Sequence, residues 1–167
     1  IDMPVGATAK VRSAAAARRL CDRLIEVGRS VALDVRVQMT EGEQPVGHGI
    51  GPALEAWDVL AVLQNEAAAP ADLRARALLL AGHVIELGAG LAPGLGLAAA
   101  QRLLDDGSAW KKFQAICTAQ GGLRTPPRAA HRQPVLAQTY GSVIAVDNRR
   151  LARVAKLTGA PRAPAAG

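Results

Sequence analysis

Residues 1–39 read IDMPVGATAKVRSAAAARRLCDRLIEVGRSVALDVRVQM. After a short extended opening, Ser13 can cap a helix that runs to about Val27, where Gly28 is the natural stop. Apolar and polar residues then alternate over 31–39, which is the period-2 pattern of a strand with one buried face. Two strands separated by a helix of this length predict a parallel βαβ unit with a right-handed crossover.

Helices dominate the predicted middle of the chain. Apolar spacings of three and four residues, with Pro, Ser and Gly at the ends, predict four helices, over 52–64, from 71 to a stop at Gly88, over 97–104, and over 109–119 behind a Ser108 cap. Short strands are predicted at 135–138 and 142–146, and a last helix at 148–157 with Asp147 as its cap. The fold class is therefore α/β: the βαβ start of a parallel mixed sheet, a helix-rich middle and a short β segment at the C-terminal end.

Two boundaries divide the predicted organisation of the chain. Residues 1–122 form part of an α/β domain, 123–134 form a linker, and 135–167 begin a C-terminal α+β domain that ends in a basic tail. The first residue is Ile rather than Met, and the chain begins with an apolar stretch. We therefore expect these residues to be part of a larger protein.

The excess of positive over negative charge is confined to the last quarter of the chain. The formal net charge is +6, but residues 1–123 are nearly neutral, whereas 124–167 carry eight basic residues and a single acidic one. A basic segment of this kind can contact nucleic acid or an acidic partner. Only four aromatic residues are present, too few for base-stacking platforms, so we do not expect nucleic acid to be the partner.

The cysteine content and the hydropathy of the chain indicate the cellular compartment in which the protein is expected. Cys21 and Cys117 are too few for a disulfide framework, and no cluster with zinc-ligand spacing accompanies them. The start of the chain lacks the features of a signal peptide, and no apolar run approaches the ~18 residues of a membrane span. These observations favour a cytoplasmic protein with no metal site and no contact with the membrane.

A glycine-rich loop over 40–51 is the first candidate for anion binding, because it follows a strand and precedes a helix. Its glycine spacing fits neither a dinucleotide-binding nor a P-loop motif, and a tight turn is the favoured interpretation. His48 lies in this loop, but no nucleophile motif is placed to use it. His83 lies within a predicted helix, where a structural role is favoured.

Lys10 is a candidate of a different kind. It lies in the small-residue loop that follows the first strand, at the carboxyl end where open α/β sheets bind their ligands. A lysine at this place could reach a phosphate as a point charge, although its position alone supports a solvated surface residue equally well.

Three segments together resemble the thymidine and pyrimidine-nucleoside phosphorylase family. They are IDMPVG at 1–6 leading to Lys10, QPVG at 44–47 with GPALEA at 51–56, and GSVIAVDNRRLA at 141–152. They occur in the family's order, and the form of the first segment is most similar to the long branch that contains AMP phosphorylases. The resemblance covers nearly the whole chain and corresponds to the C-terminal portion of the catalytic α/β domain.

The resemblance implies a pentosyltransferase that splits a nucleoside or nucleoside monophosphate by phosphorolysis, giving a free base and a pentose 1-phosphate. Inorganic phosphate is then the co-substrate, with no other cofactor, and the parent enzyme is expected to be a homo-oligomer. Lys10 matches a substrate-binding residue of the AMP phosphorylase branch. The family's phosphate-binding and base-binding segments are not found among the 167 residues. We therefore expect no catalytic residue here and no activity from this chain alone. The alternative is a non-catalytic α/β binding module whose basic end meets nucleic acid or an acidic partner.

Overall fold

A computed structural model describes all residues, 1–167, as two short strands and six helices. In chain order the elements are β1 (Asp2–Val5), α1 (Ala14–Ser30), β2 (Gln38–Glu41), α2 (Pro52–Leu63), α3 (Ala71–Ala89), α4 (Gly96–Asp105), α5 (Ser108–Ala119) and α6 (Asn148–Leu157). The α/β class with a helix-rich middle is confirmed. The proposed division into domains stays a prediction.

The βαβ unit forms as the sequence predicts, with β1 and β2 parallel and Asp2 paired with Gln38. The Ser13 side chain accepts a hydrogen bond from the backbone N–H of Ala16 at 3.2 Å, so the predicted cap of α1 is confirmed. Because both strands run in the same direction, their carboxyl ends lie at one edge of the sheet, and the loops that follow them become neighbours.

The predicted strand at 31–39 is wrong in its position. Helix α1 continues through Gly28 to Ser30, and β2 begins only at Gln38. Gly28 is buried where the following chain crosses the helix: a side chain there would lie 2.8 Å from the Leu33 carbonyl oxygen. Gly28 therefore permits a close approach and does not end the helix. Residues 31–37 have no strand partner, because β1 pairs only with 38–41.

The predicted strands at 135–138 and 142–146 do not form. The chain from 120 to 147 contains no helix or strand, and Val135 and Ile144 are 94% and 95% exposed. A strand is stable only when a neighbour completes its backbone hydrogen bonds, and no neighbouring strand is present here. Two helix ends also differ slightly: α3 ends beyond Gly88, at a left-handed Gly90, and Gly107 rather than Ser108 precedes α5.

The apolar core is small and lies between the middle helices. It is centred on Val62, Leu78, Ala100 and Leu104, which come from α2, α3 and α4. A separate contact joins Ala155, Ala160 and Ala166 to Ile50, so the C-terminal segment packs on the glycine-rich loop. None of the helices combines the length and apolar character that a bilayer crossing requires.

Candidate functional site

Two loops at the carboxyl ends of β1 and β2 meet in close contact. The backbone N–H of Gly42 donates to the Val5 carbonyl oxygen at 2.9 Å, which extends the pairing of the strands by one bond. Gly6 faces the loop that follows β2, and a Cβ atom on Gly6 would lie 2.7 Å from the backbone of Gly42 and Glu43. Only glycine fits at such a distance, so the glycine of the first segment serves loop-to-loop packing.

A cavity of about 640 Å³ opens beside these loops. Fifteen residues line it, and they come from both strands, both loops, α1, α3 and the start of α6. All three segments that carry the family resemblance contribute to its wall, through residues such as Pro4, Gln44 and Asn148. The fold therefore brings together, around one cavity, segments that are separated by about a hundred residues in the sequence.

Lys10 lies at the rim of this cavity and is exposed. The turn before it is fixed by hydrogen bonds from Ala9 N–H to the Gly6 carbonyl oxygen at 3.0 Å, and from Gly6 N–H to the Val11 carbonyl oxygen at 3.1 Å. No ion pair of the structure involves the Lys10 ammonium group. A cation on an ordered turn, facing a cavity with no internal partner, can bind an anionic group of a ligand.

The cavity wall has one further cation and two carboxylates. Arg76 of α3 donates to the backbone carbonyl oxygen of Glu41, so its guanidinium group is already engaged at the end of β2. The Asp2 carboxylate accepts a hydrogen bond from the Thr40 hydroxyl at 2.6 Å. Lys10 is thus the cation of the wall that lacks a hydrogen-bonded partner within the chain.

The glycine-rich loop does not offer its backbone N–H groups to an anion. The Asp58 carboxylate of α2 accepts hydrogen bonds from the N–H groups of His48 and Gly49, each at 2.7 Å, and the Asp72 carboxylate accepts one from Gly47 at 3.0 Å. These donors are occupied by carboxylates, which would also repel a phosphate. The favoured interpretation of the loop as a turn agrees with this geometry, and His48 lies exposed, away from the cavity wall.

A second polar cluster lies at the other end of β2. The Glu86 carboxylate accepts hydrogen bonds from the N–H groups of Gly94 at 2.7 Å and Gly96 at 3.0 Å, and it also pairs with Arg36. The imidazole of His83 lies between Arg36 and Gln38, 3.2 Å and 2.9 Å from their side-chain atoms. The N–H of Gly96 and the Arg36 guanidinium lower the pKa of Glu86 below its ordinary value of 4.5. His83 therefore belongs to a structural network, as the sequence predicts.

Comparisons with known proteins found relatives that share one name. No family model matches the chain. Over all 167 residues it is 64% identical to a protein of Polaromonas sp. (strain JS666), 60% to one of Acidovorax sp. (strain JS42) and 55% to one of Legionella pneumophila (strain Paris). Each of these relatives is named a "putative thymidine phosphorylase", with a number added in the second case.

The resemblance to the thymidine phosphorylase family is confirmed. The chain spans about a third of the length of the curated relatives it matches, 33% for the first two and 32% for the third. The similarity thus extends over every residue of the chain, while the greater part of each relative lies outside the matched segment.

Sequence patterns pointed to Lys10 but not to all of its neighbours. Arg76 and Asn148 reach the cavity from helices that follow β2 by many residues, and no periodicity or spacing indicates such a contact. Asn148 belongs to the third segment that carries the resemblance.

The sequence predicts Asp147 as the cap of the last helix, and this prediction is confirmed. The Asp147 carboxylate accepts hydrogen bonds from the N–H groups of Arg149 and Arg150 at 2.9 and 3.0 Å.

Proposed function

We propose that this chain supplies one wall of the substrate site of a nucleoside phosphorylase. The parent protein, meaning a polypeptide of the relatives' length that contains these residues, would catalyse attack of inorganic phosphate on the anomeric carbon of a nucleoside. The bond from that carbon to the base breaks, the base leaves, and a pentose 1-phosphate forms. The observation that supports this proposal is the convergence of the three family segments on one cavity, in a chain similar to thymidine phosphorylases over its whole length.

In this proposal Lys10 is a substrate-binding residue. Its ammonium group would hold an oxygen of the sugar or an attached phosphate, and so place the anomeric carbon for attack. Positioning and electrostatic stabilisation supply most of the rate enhancement in a reaction whose transition state develops charge on the sugar. The phosphate-binding and base-binding groups would come from outside these residues. We therefore propose that the 167-residue chain does not turn over substrate by itself.

The finer properties of the parent enzyme follow from the same proposal. The first segment, with Pro4 and Lys10, supports a nucleoside 5′-monophosphate such as AMP as the substrate, and the alternative is thymidine or another pyrimidine nucleoside. We propose that inorganic phosphate is the co-substrate without any other cofactor, that the enzyme is a homo-oligomer, and that it works in the cytoplasm.

The direct test is to purify the parent protein and measure release of base from thymidine, uridine and AMP, with and without inorganic phosphate. We expect release that requires phosphate, with pentose 1-phosphate as the second product. Release without phosphate would indicate hydrolysis, and no release from any nucleoside or nucleotide would contradict the proposal. The 167-residue chain is assayed beside it, and turnover by that chain would contradict its proposed lack of activity.

A second candidate function rests on the basic C-terminal segment. All eight basic side chains between 124 and 162 are exposed, and the guanidinium group of Arg128 lies 4.2 Å from the centre of the Trp57 ring. A non-catalytic module that binds nucleic acid or an acidic partner through this surface would fit these features. Binding of duplex DNA by the chain that weakens steeply with added salt would favour this function over the phosphorylase.

A further inference from the structure

Asn148 joins the C-terminal helix to both loops at the cavity. It is the first residue of α6, and its side-chain nitrogen lies 3.2 Å from the Glu43 carbonyl oxygen, 3.3 Å from that of Gly42 and 3.4 Å from the Thr8 hydroxyl. Carbonyl oxygens can only accept hydrogen bonds, so the amide must present its nitrogen to them. The orientation of this amide is therefore determined by its surroundings.

The three acceptors belong to the two loops that follow β1 and β2. Thr8 lies two residues before Lys10, on the same turn, whereas Gly42 and Glu43 lie immediately beyond β2. One amide group thus bridges the Lys10 turn and the loop against which Gly6 packs. Among the residues that line the cavity, Asn148 alone comes from beyond α3.

The position of Asn148 is itself fixed from both sides. On one side, the N–H of Val146 donates to the side-chain oxygen of Gln44 at 2.8 Å. On the other side, the Asp147 carboxylate caps the first turn of α6. The backbone at Asn148 is therefore held in place through its neighbours Val146 and Asp147, and the bonds of its side chain to the two loops do not depend on a freely rotating chain end.

The contacts of Asn148 join the cavity wall to the Lys10 turn. The side-chain oxygen of Asn148 is buried and no donor of the chain reaches it, so the amide is engaged through its nitrogen. Because that nitrogen reaches Thr8 of the Lys10 turn, and Asn148 itself lines the cavity, the amide can fix the geometry of the site.

We propose that Asn148 is a positioning residue for Lys10. Its amide nitrogen holds the Lys10 turn against the loop after β2, and so places the ammonium group for substrate binding. This inference rests on the proposed function, because it assigns Asn148 a part in the same substrate site. It predicts that loss of the amide nitrogen affects the enzyme through Lys10 and not through the stability of the fold.

The test compares Asn148→Ala, Asn148→Asp and Lys10→Ala with the double variant in the parent protein. The aspartate variant keeps the shape of the side chain but removes the N–H donors, so we expect both Asn148 variants to lower kcat/KM about tenfold, mainly through KM. The double variant should lose no more than Lys10→Ala alone, because Asn148 acts through Lys10. Independent, multiplicative losses would overturn the inference, as would full activity of Asn148→Asp.

Hydrogen exchange separates this inference from the proposed function. In Asn148→Ala we expect faster exchange of the Gly6 and Ala9 amides, whose hydrogen bonds shape the Lys10 turn, with exchange in α3 unchanged. Arg149→Ala, which changes an exposed neighbour on α6, is the matched control and should leave these amides as they are. Unchanged exchange at Gly6 and Ala9 would overturn the inference even in an active enzyme. Faster exchange in a parent protein without phosphorolysis would refute the proposed function alone. If Asn148→Ala fails to fold, Asn148→Ser provides the same measurement.

Discussion

The two ends of the β1–β2 sheet carry polar groups of similar kind in opposite states. At the amino ends of the strands, which we call the closed end, Glu86, Arg36 and His83 form a network in which each charge or ring nitrogen contacts a partner. At the carboxyl ends of the strands, which we call the open end, Lys10 faces an open cavity and has no partner in the chain. Charges that satisfy one another stabilise a fold, whereas an ordered charge that lacks a partner is available to a ligand. The location of titratable residues thus says less about function than their state of pairing.

The largest effect on the closed end should come from Glu86→Ala. This change leaves the Gly94 and Gly96 N–H groups and the Arg36 guanidinium without their acceptor, and the loop before α4 loses its attachment. We expect the melting temperature to fall by on the order of 10 °C, measured by thermal unfolding. Glu66→Ala removes an exposed carboxylate and should change the melting temperature little. Equal effects of the two variants would break the distinction between the two ends.

A substitution at the open end should lower the activity of the parent protein and leave the stability of its fold unchanged. We expect Lys10→Ala to lower kcat/KM of the parent protein roughly 10- to 100-fold, because a charged hydrogen bond to substrate contributes about 1.5–3 kcal/mol. The melting temperature should be unchanged, since Lys10 has no partner to lose. Lys112→Ala, on the exposed side of α5, is the matched control. A lowered melting temperature with unchanged kinetics would mean that Lys10 is a structural residue.

Acid should weaken the closed end selectively. Because the folded-state pKa of Glu86 lies below its ordinary value of 4.5, the stabilisation it gives is complete above that value. This stabilisation is lost as the pH falls through the lowered folded-state pKa. The difference in melting temperature between the wild type and Glu86→Ala should therefore be constant near neutral pH and shrink below about pH 4.5. A difference that grows on acidification would contradict the assignment.

The smallest effect is expected from His83→Ala. It removes the ring contacts to Arg36 and Gln38, and we expect a loss of about 1 kcal/mol in the free energy of unfolding, measured with denaturant. Phosphorolysis by the parent protein should be unchanged. His131→Ala, in the exposed segment after α5, provides the comparison. A strong loss of activity in His83→Ala would show that the closed end also takes part in the reaction.

Sequence patterns predicted the helices better than the strands, for a physical reason. A helix satisfies its own backbone hydrogen bonds, so the apolar spacing in α2 and the Asp147 cap of α6 were sufficient to predict both. A strand depends on a partner elsewhere in the chain. The alternation over 31–39 and the apolar residues at 142–146 therefore suggested strands that have no neighbour, or a displaced one, in the structure.

The same difference between local and distant contacts applies to the residues of the candidate site. Lys10 could be predicted because its place depends on a local rule, the carboxyl end of a parallel strand. The attachment of Glu86 to Arg36, and the contact of Asn148 with Gly42, depend on how distant segments pack. No local pattern indicates that packing, and the third segment of the resemblance includes Asn148 without indicating its contacts.

The irregular stretch from 120 to 147 has a kinetic consequence for the cavity. All its residues except Pro126 and Val146 are exposed, and it connects α5 to the helix that carries Asn148. Helix α6 therefore meets the loops as a tethered ligand, at an effective concentration that the length of the tether sets. The hydrogen bonds of Asn148 and the apolar contact of Ala155 with Ile50, which would be too weak to retain a free helix, are enough to retain this one. Cleavage of the tether would turn a unimolecular contact into an association that depends on protein concentration.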